Sequence, residues 1–359
     1  MTERFIAFEG VRKSYDGKSY VVRGLDLDVA KGEFLTLLGP SGSGKTTTLM
    51  MLAGFETPTH GTITLGGERI ERVPPHRRNI GVVFQNYALF PHMTVGENLA
   101  FPLKMRRMGK AEVTERVRHA LEMVRMAAFT DRRPNQMSGG QQQRIALARA
   151  LVFEPQLVLM DEPLGALDKQ LREHMQLEIK HLHDRLGVNV VYVTHDQSEA
   201  LTMSDRVGVF NDGILQQIAT PHDLYEAPDN PFVATFIGEN NAISGEVIEL
   251  ANGACRIRTS DGSVISAMAG GGLKVGAATT LVLRPERISI VDGLSGPNRF
   301  RARVNELIYH GDHMRLRVTV CACDDVRIKV PAGAARAPKP GDDIDIGWTP
   351  ADCRALAQS

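Results

Sequence analysis

A glycine-rich segment that ends in a lysine and a threonine is the first part of the sequence with a definite chemistry. Residues 39–46 read Gly-Pro-Ser-Gly-Ser-Gly-Lys-Thr and fit the pattern G-x-x-x-x-G-K-[ST] between an expected strand and an expected helix. Glycines let the backbone curl so that consecutive N–H groups face phosphate oxygens, and the helix adds its positive dipole end. The Lys45 ammonium suits the β- and γ-phosphates, and the Thr46 hydroxyl suits Mg²⁺. The segment therefore predicts a nucleotide site.

Two adjacent carboxylates, Asp161 and Glu162, follow the apolar run Leu157–Met160. Ligands of open α/β sheets bind at the carboxyl ends of the strands, which is where this pair is expected. Asp161 is placed to hold Mg²⁺ through water, and Glu162 points differently, so it could orient and deprotonate an attacking water. Two carboxylates beside a triphosphate are costly without a cation, so the pair implies Mg²⁺.

A second candidate anion site lies in residues 137–144, which read Met-Ser-Gly-Gly-Gln-Gln-Gln-Arg. We expect a helix to follow over Ile145–Leu151. Ser138 is a typical N-cap residue, and Gly139 and Gly140 leave the backbone open to an anion. One nucleotide does not need two such sites on one small domain. A ready explanation is that the two sites serve different halves of a dimer.

The order of these motifs makes residues 5–237 similar to the ATPase subunits of ABC transporters. The resemblance implies that Gly39 to Thr47 form the phosphate loop and that Ser138 to Gln141 form the signature sequence. It also implies that Asp161 is the Walker B aspartate and that Glu162 is the catalytic glutamate.

Further residues match the same family. The resemblance implies that Tyr15 stacks on adenine and that Gln85 senses Mg²⁺ and the attacking water. It places Asp168 in the loop that links the two active sites and makes His195 the switch histidine. The family usually has Leu where this chain has Met137, and we expect little consequence because the two side chains are apolar and similar in volume.

The implied site residues fall into three groups. The residues implied in nucleotide binding are Tyr15, Gly39, Pro40, Ser41, Gly42, Ser43, Gly44, Lys45, Thr46, Thr47, Ser138, Gly139, Gly140, Gln141 and Asp168. The residues implied in catalysis are Glu162, His195 and Gln85. The residues implied in binding Mg²⁺ are Thr46, Gln85 and Asp161. The cofactors are therefore ATP and Mg²⁺.

The elements that position these residues alternate between strands and helices up to about residue 237. Short apolar runs of the kind buried in parallel sheets are Glu33–Leu38, Ile80–Phe84, Leu157–Met160 and Val190–Val193. Helical spacing is found over Thr46–Ala53, Ala111–Met126 and Asp168–Leu186. The alternation predicts an α/β domain over residues 1–237. The resemblance makes it a P-loop NTPase of the ABC ATPase type, with a helical subdomain at about residues 88–153.

From about Gly238 the pattern changes to short alternating runs separated by Gly and Asp, which predicts a small all-β barrel or sandwich over residues 238–359. This part resembles the OB-like (TOBE) regulatory domain of importer-type ATPases, most closely over Leu281–Ile288. Barrels of this type also bind nucleic acid, but aromatic residues are few after Phe236, so we expect no nucleic-acid partner. Packing between neighbouring subunits, with or without ligand-dependent inhibition, is the better interpretation.

Composition limits the remaining classes of protein. The chain has 359 residues, and its 42 Lys+Arg balance 42 Asp+Glu, which gives no general attraction to nucleic acid or anionic lipid. Four cysteines are too few for a disulfide framework, so we expect reduced thiols in a cytosolic protein. No apolar run reaches about 18 residues, and the start of the chain lacks the pattern of a signal peptide. We expect that the chain does not cross a membrane by itself.

The resemblance then implies a function. Two copies would sandwich two Mg·ATP and drive two integral-membrane permeases, supplied by a periplasmic or surface solute-binding protein. The chain would be peripheral, on the cytoplasmic face of a bacterial inner membrane. Residues 236–241 are most similar to the polyamine (spermidine/putrescine) importers, while iron(III), sugar, phosphonate and thiosulfate stay open as solutes. A soluble ABC-type ATPase would usually carry two cassettes or a coiled-coil insertion, and a P-loop kinase would lack the Ser138 segment.

Overall fold

A computed structural model describes residues 4–293, 295–333 and 338–358 of the chain. The chain divides into two compact units between His222 and Asp223. The helices are α1 (Lys45–Ala53), α2 (Val95–Met105), α3 (Lys110–Met123), α4 (Gly139–Leu151), α5 (Lys169–Leu186), α6 (Gln197–Met203), α7 (Pro221–Glu226) and α8 (Pro231–Phe236). Helix α8 lies after this division but before residue 237, where the sequence places the domain boundary. The domain limits 1–237 and 238–359 therefore stay a prediction.

A six-stranded sheet forms the centre of the first unit, in the order β10-β9-β3-β8-β7-β6. The strands of the first unit are β1 (Arg4–Lys13), β2 (Val22–Ala30), β3 (Phe34–Leu38), β4 (His60–Leu65), β5 (Glu68–Arg69), β6 (Ile80–Val83), β7 (Leu157–Asp161), β8 (Asn189–Thr194), β9 (Arg206–Asn211) and β10 (Ile214–Ala219). Strands β3, β6, β7, β8 and β9 are parallel, and β10 is antiparallel to β9. The predicted parallel sheet is confirmed, and the carboxyl ends of β3, β6, β7 and β8 meet at one edge.

The first unit also contains a four-stranded antiparallel sheet, in the order β2-β1-β4-β5, which was not predicted from the sequence. Its buried side chains, among them Ile6, Phe8 and Val11, belong to the same core cluster as Leu49 and Leu52 of α1. Helix α1, which follows the glycine-rich segment, therefore packs against this second sheet.

Helices α2, α3 and α4 form the helical part of the unit, within the residues predicted for it. Leu99, Val117 and Ile145 share one buried cluster to which all three helices contribute. The expected helix Ala111–Met126 is wrong at its end, because α3 stops at Met123. Arg125 has a left-handed φ of 57°, which a continuing helix does not allow.

After α8, the second unit is built mainly of strands, as predicted. They are β11 (Asn241–Ala251), β12 (Ala254–Arg258), β13 (Val264–Ala269), β14 (Ala278–Leu283), β15 (Ser289–Ile290), β16 (Arg299–Tyr309), β17 (His313–Val320), β18 (Cys323–Pro331), β19 (Asp343–Gly347) and β20 (Cys353–Ala357). Five of them close a barrel in the order β11-β12-β13-β20-β14, and the others form a five-stranded sheet in the order β15-β19-β16-β17-β18. One core cluster contains side chains from both sheets.

Among the residues that the structure describes, none of the helices is long and apolar enough to cross a membrane.

Candidate nucleotide site

The glycine-rich segment forms the turn between β3 and α1, and close contacts require glycine at two of its positions, Gly39 and Gly44. A Cβ atom on Gly39 would lie 2.3 Å from the backbone oxygen of Phe210. Gly44 has a φ of 99°, and a Cβ atom on it would lie 2.7 Å from the backbone oxygen of Val21. Helix α1 begins directly after Gly44, at Lys45. The segment therefore ends at a helix N-terminus, which is the geometry that favours a bound phosphate.

Lys45 is buried, and its ammonium group lies against its own loop. Its Nζ donates hydrogen bonds to the backbone oxygens of Gly39 and Pro40, each at 2.8 Å. Burial lowers the pKa of this ammonium group, while the carboxylates of Glu162 and Asp161 oppose the shift. The two hydrogen bonds hold the ammonium group in place, and the carboxylates of Glu162 and Asp161 balance its charge.

Thr46 and Asp161 connect the start of α1 to the end of β7. The Thr46 hydroxyl donates to Asp161 Oδ1 at 3.0 Å. Burial raises the pKa of Asp161, and the Thr46 hydrogen bond acts in the opposite direction. A hydroxyl and a carboxylate are the hard oxygen donors that Mg²⁺ prefers. No group of three or more His, Cys, Asp or Glu side chains that could hold a metal exists in the described part of the chain.

Glu162, the residue after β7, contacts both other predicted catalytic residues. Its Oε2 accepts a hydrogen bond from Gln85 Nε2 at 3.3 Å, and its Oε1 lies 3.1 Å from His195 Nδ1. Glu162 has a left-handed φ of 44°, and its backbone N–H donates to Val193 O at 2.9 Å. The structure thus brings Gln85, Glu162 and His195 together at the edge where β6, β7 and β8 end.

The segment around Ser138 differs from the sequence expectation. Helix α4 begins at Gly139 and not at Ile145, because Ser138 and Gln141 form a capping box that starts the helix early. Ser138 is the N-cap, as predicted. Gly139 and Gly140 form the first helical turn, and a Cβ atom on Gly140 would lie 3.0 Å from Leu171 Cδ2.

The four residues Ser138–Gln141 are not brought to the other site residues. Within the described residues, no hydrogen bond or ion pair joins them to residues 39–47 or to Asp161 and Glu162. Their contribution to the same nucleotide stays a prediction.

Tyr15 and Asp168 complete the predicted set. Tyr15 lies beyond the end of β1 with 59% of its surface exposed, and Lys13 Nζ lies 4.7 Å from its ring centroid. Asp168 caps α5, since its Oδ1 accepts from Leu171 N at 2.9 Å. Pro40, Ser41 and Gly42 form the exposed rim of the loop.

A polar group beside His195 was missed by the sequence analysis. Arg172 of α5 donates to Leu167 O at 2.9 Å and to Asp196 Oδ2 at 3.2 Å. Glu199, which is 2% exposed, accepts hydrogen bonds from the Tyr192 hydroxyl and from Thr194 Oγ1. The signal that could have revealed this group is the run of polar residues on both sides of His195, at the end of the otherwise buried strand β8.

Comparison with known proteins decides the family. Residues 22–165 match the ABC transporter family and residues 281–356 match the TOBE domain. The chain is 42% identical to the spermidine/putrescine import ATP-binding protein PotA of Trichodesmium erythraeum over 100% of its own length and 96% of that protein. The chain belongs to the ABC transporter family. A second such relative is PotA 1 of Pseudomonas aeruginosa, which is 46% identical over 92% of this chain and 91% of that protein.

Solved ABC structures are similar to a large part of the chain. A dimeric ATP-binding cassette in a post-hydrolysis state, bound to ADP and Pi, is 33% identical, with a TM-score of 0.55 over 60% of this chain and 98% of that one. The cbiO1 protein of Clostridium perfringens, part of the ABC transporter complex cbiONQ, is 26% identical, with a TM-score of 0.58 over 62% of this chain and 91% of that one. The chain is therefore an ABC-type ATPase with a TOBE domain, and its nucleotide is ATP.

Proposed function

We propose that this ABC ATPase drives the import of polyamines of the spermidine/putrescine type. The support is the function given in the names of its relatives, which are 42% and 46% identical over nearly the whole chain. Residues 236–241, whose sequence is similar to the polyamine importers, are consistent with it. Neither observation concerns a contact with the solute, so the solute is tested by transport.

The carboxylate of Glu162 is the catalytic base in this proposal. Held between Gln85 and His195, it polarises the water that attacks the γ-phosphate. Lys45 and the loop backbone hold the phosphates, and Tyr15 stacks on the adenine. The observation that carries the proposal is the convergence of Gln85, Glu162 and His195 at the strand edge next to this loop.

Mg²⁺ would be held by Thr46, Asp161 and Gln85, which supply oxygen donors at the start of α1, the end of β7 and the end of β6. The cation would neutralise charge on the β- and γ-phosphates. Ionised Asp161 is required for this role, and its half-buried position makes the ionised form costly until a cation is near.

The active unit is a homodimer in which Ser138, Gly139, Gly140 and Gln141 of one subunit cover the γ-phosphate of the other. The first turn of a helix leaves N–H groups without intrahelical acceptors, and the capping box at Ser138 satisfies only part of them, so this helix start suits an anion. The dimeric relative bound to ADP and Pi supports this arrangement. Asp168 lies in the loop that links the two sites.

The partners in this proposal are two integral-membrane permeases and, through them, a solute-binding protein outside the membrane. The ATPase would act on the cytoplasmic face of the inner membrane of a bacterium. The cbiO1 relative, part of the complex cbiONQ, supports the existence of such partners.

Transport by the complete complex in proteoliposomes tests the solute. Labelled spermidine and putrescine should be taken up with ATP enclosed, and maltose, iron(III), thiosulfate and phosphonate should not. Uptake of one of these other solutes, without polyamine uptake, would overturn the choice of solute and leave the ATPase assignment intact.

Glu162→Gln tests the catalytic role. We expect kcat for ATP hydrolysis to fall by about 100-fold or more, because the amide cannot accept a proton, while ATP binding is retained. With ATP the variant should run as a closed dimer in size-exclusion chromatography. The exposed Glu173→Gln is the matched control and should hydrolyse ATP as the wild type does. Wild-type hydrolysis by Glu162→Gln would remove Glu162 from the mechanism.

A further inference from the structure

Arg172 lies between two loops that carry site residues. Its Nη2 donates to the backbone oxygen of Leu167, the residue before Asp168, at 2.9 Å. Its Nη1 donates to Oδ2 of Asp196, the residue after His195, at 3.2 Å. One guanidinium group therefore joins the loop before α5 to the loop after β8.

Both ends of this connection are themselves fixed. Arg172 lies in the first turn of α5, where its backbone N–H donates to Asp168 O at 2.9 Å. The other carboxylate oxygen of Asp196 caps α6 by accepting from Ser198 N at 2.8 Å. The Asp196 N–H donates to Thr194 Oγ1 at 3.0 Å. A displacement of Arg172 is therefore passed to the backbone on the C-terminal side of His195.

A buried carboxyl group lies beside the guanidinium. Glu199 Oε1 is 4.0 Å from Arg172 Nε, and this Nε is buried without a hydrogen-bond partner in the described residues. Glu199 accepts from the Tyr192 hydroxyl at 2.8 Å and from Thr194 Oγ1 at 2.6 Å. The charge of Arg172 thus faces a backbone oxygen of the loop before α5 and the carboxylates of Asp196 and Glu199 at the start of α6. A guanidinium group is planar and carries several N–H donors, so it reaches acceptors on two loops at once. A lysine ammonium has a single nitrogen and does not reproduce this geometry.

We propose that Arg172 is a positioning residue for hydrolysis. By tying Asp196 to Leu167 it keeps His195 in contact with Glu162. The inference rests on the proposed roles of Glu162 and His195. Arg172 touches neither nucleotide nor water in this role, so its effect appears in the rate of hydrolysis and not in nucleotide binding.

The test compares Arg172→Lys and Arg172→Met in the full chain assembled with its permeases. We expect kcat for ATP hydrolysis to fall by about tenfold for Lys and by about 100-fold for Met, the scale of a small misplacement of a catalytic group. KM for ATP and the Kd for nucleotide should stay within about twofold. Arg185→Met, on the exposed side of the same helix, is the matched control and should keep wild-type kcat. A loss confined to KM would overturn the proposal.

A double-mutant cycle separates positioning from general damage. In the His195→Ala background, Arg172→Met should lower kcat by less than about threefold, because the group that it positions is gone. A full and additive loss in that background overturns this inference. If Arg172→Met unfolds at a lower temperature, the Lys variant decides, since it keeps the charge and the side-chain bulk. Wild-type hydrolysis by Glu162→Gln would instead overturn the proposed function, so the two failures are distinguishable.

Discussion

Glu162 shows how much of the site depends on the conformation of one residue. Its left-handed φ of 44° costs about 1–2 kcal/mol in a residue with a Cβ atom. The conformation lets the backbone N–H reach Val193 O while the carboxylate contacts Gln85 and His195. The strain falls on the residue that we propose as the catalytic base, and the two side-chain contacts and the backbone hydrogen bond offset it.

Asp161→Asn tests the effect of burying a charge at this site. Because the pKa of Asp161 is raised in the folded chain, the ionised form opposes folding, and stability falls as pH rises through that pKa. We expect the nucleotide-free variant to unfold at a higher temperature than the wild type at pH 7, with the difference vanishing near pH 3. Differential scanning fluorimetry across pH measures it, with the exposed Asp131→Asn as control. A lower unfolding temperature at pH 7 would contradict the assignment.

Sequence predicted the residues of the site better than it predicted their contacts. The motifs named Lys45, Thr46 and Glu162 because each residue type has its own phosphate, metal or water chemistry. Arg172 was missed because its partners are a backbone oxygen and a carboxylate on a distant loop. Contacts of this kind depend on tertiary packing and leave no local pattern in the sequence.

At the scale of elements, the starts of α2 and α4, which both have capping boxes, allow a direct comparison. Thr94 and Ser138 each accept a hydrogen bond from the backbone three residues on, and Glu97 and Gln141 complete the boxes. The expected start of α4 at Ile145 was wrong because its first turns lack apolar periodicity. The cap overrides the low helix propensity of the two glycines.

Thr94→Ala and Ser138→Ala separate the structural from the functional use of a cap. Each should lower the free energy of unfolding by about 1 kcal/mol, because one backbone N–H loses its partner. Only Ser138→Ala should also lower ATP hydrolysis strongly, since we place Ser138 against the γ-phosphate of the partner subunit. Urea denaturation and steady-state ATPase assays measure the two effects. Equal ATPase losses in both variants would contradict the proposed role of Ser138.

At the scale of the whole molecule, the all-β second unit was predicted but its two sheets were not. Strand β20 pairs with β14 and, in parallel, with β13, whose residues are far from it in sequence. The alternating pattern indicates that strands form, whereas the order in which they pair is fixed by non-local packing.

The two units have separate cores, and this determines how the chain should respond to nucleotide. The buried core clusters of the first unit share no residues with the core cluster that both sheets of the second unit form. We expect two transitions in calorimetry. Mg·ATP at about 100 times its Kd should stabilise the transition of the first unit by about 2.7 kcal/mol, because a ligand stabilises only the fold that binds it. Lys45→Ala should abolish that shift and leave the other transition in place. A single transition that moves as a whole with nucleotide would instead show that the two units unfold together.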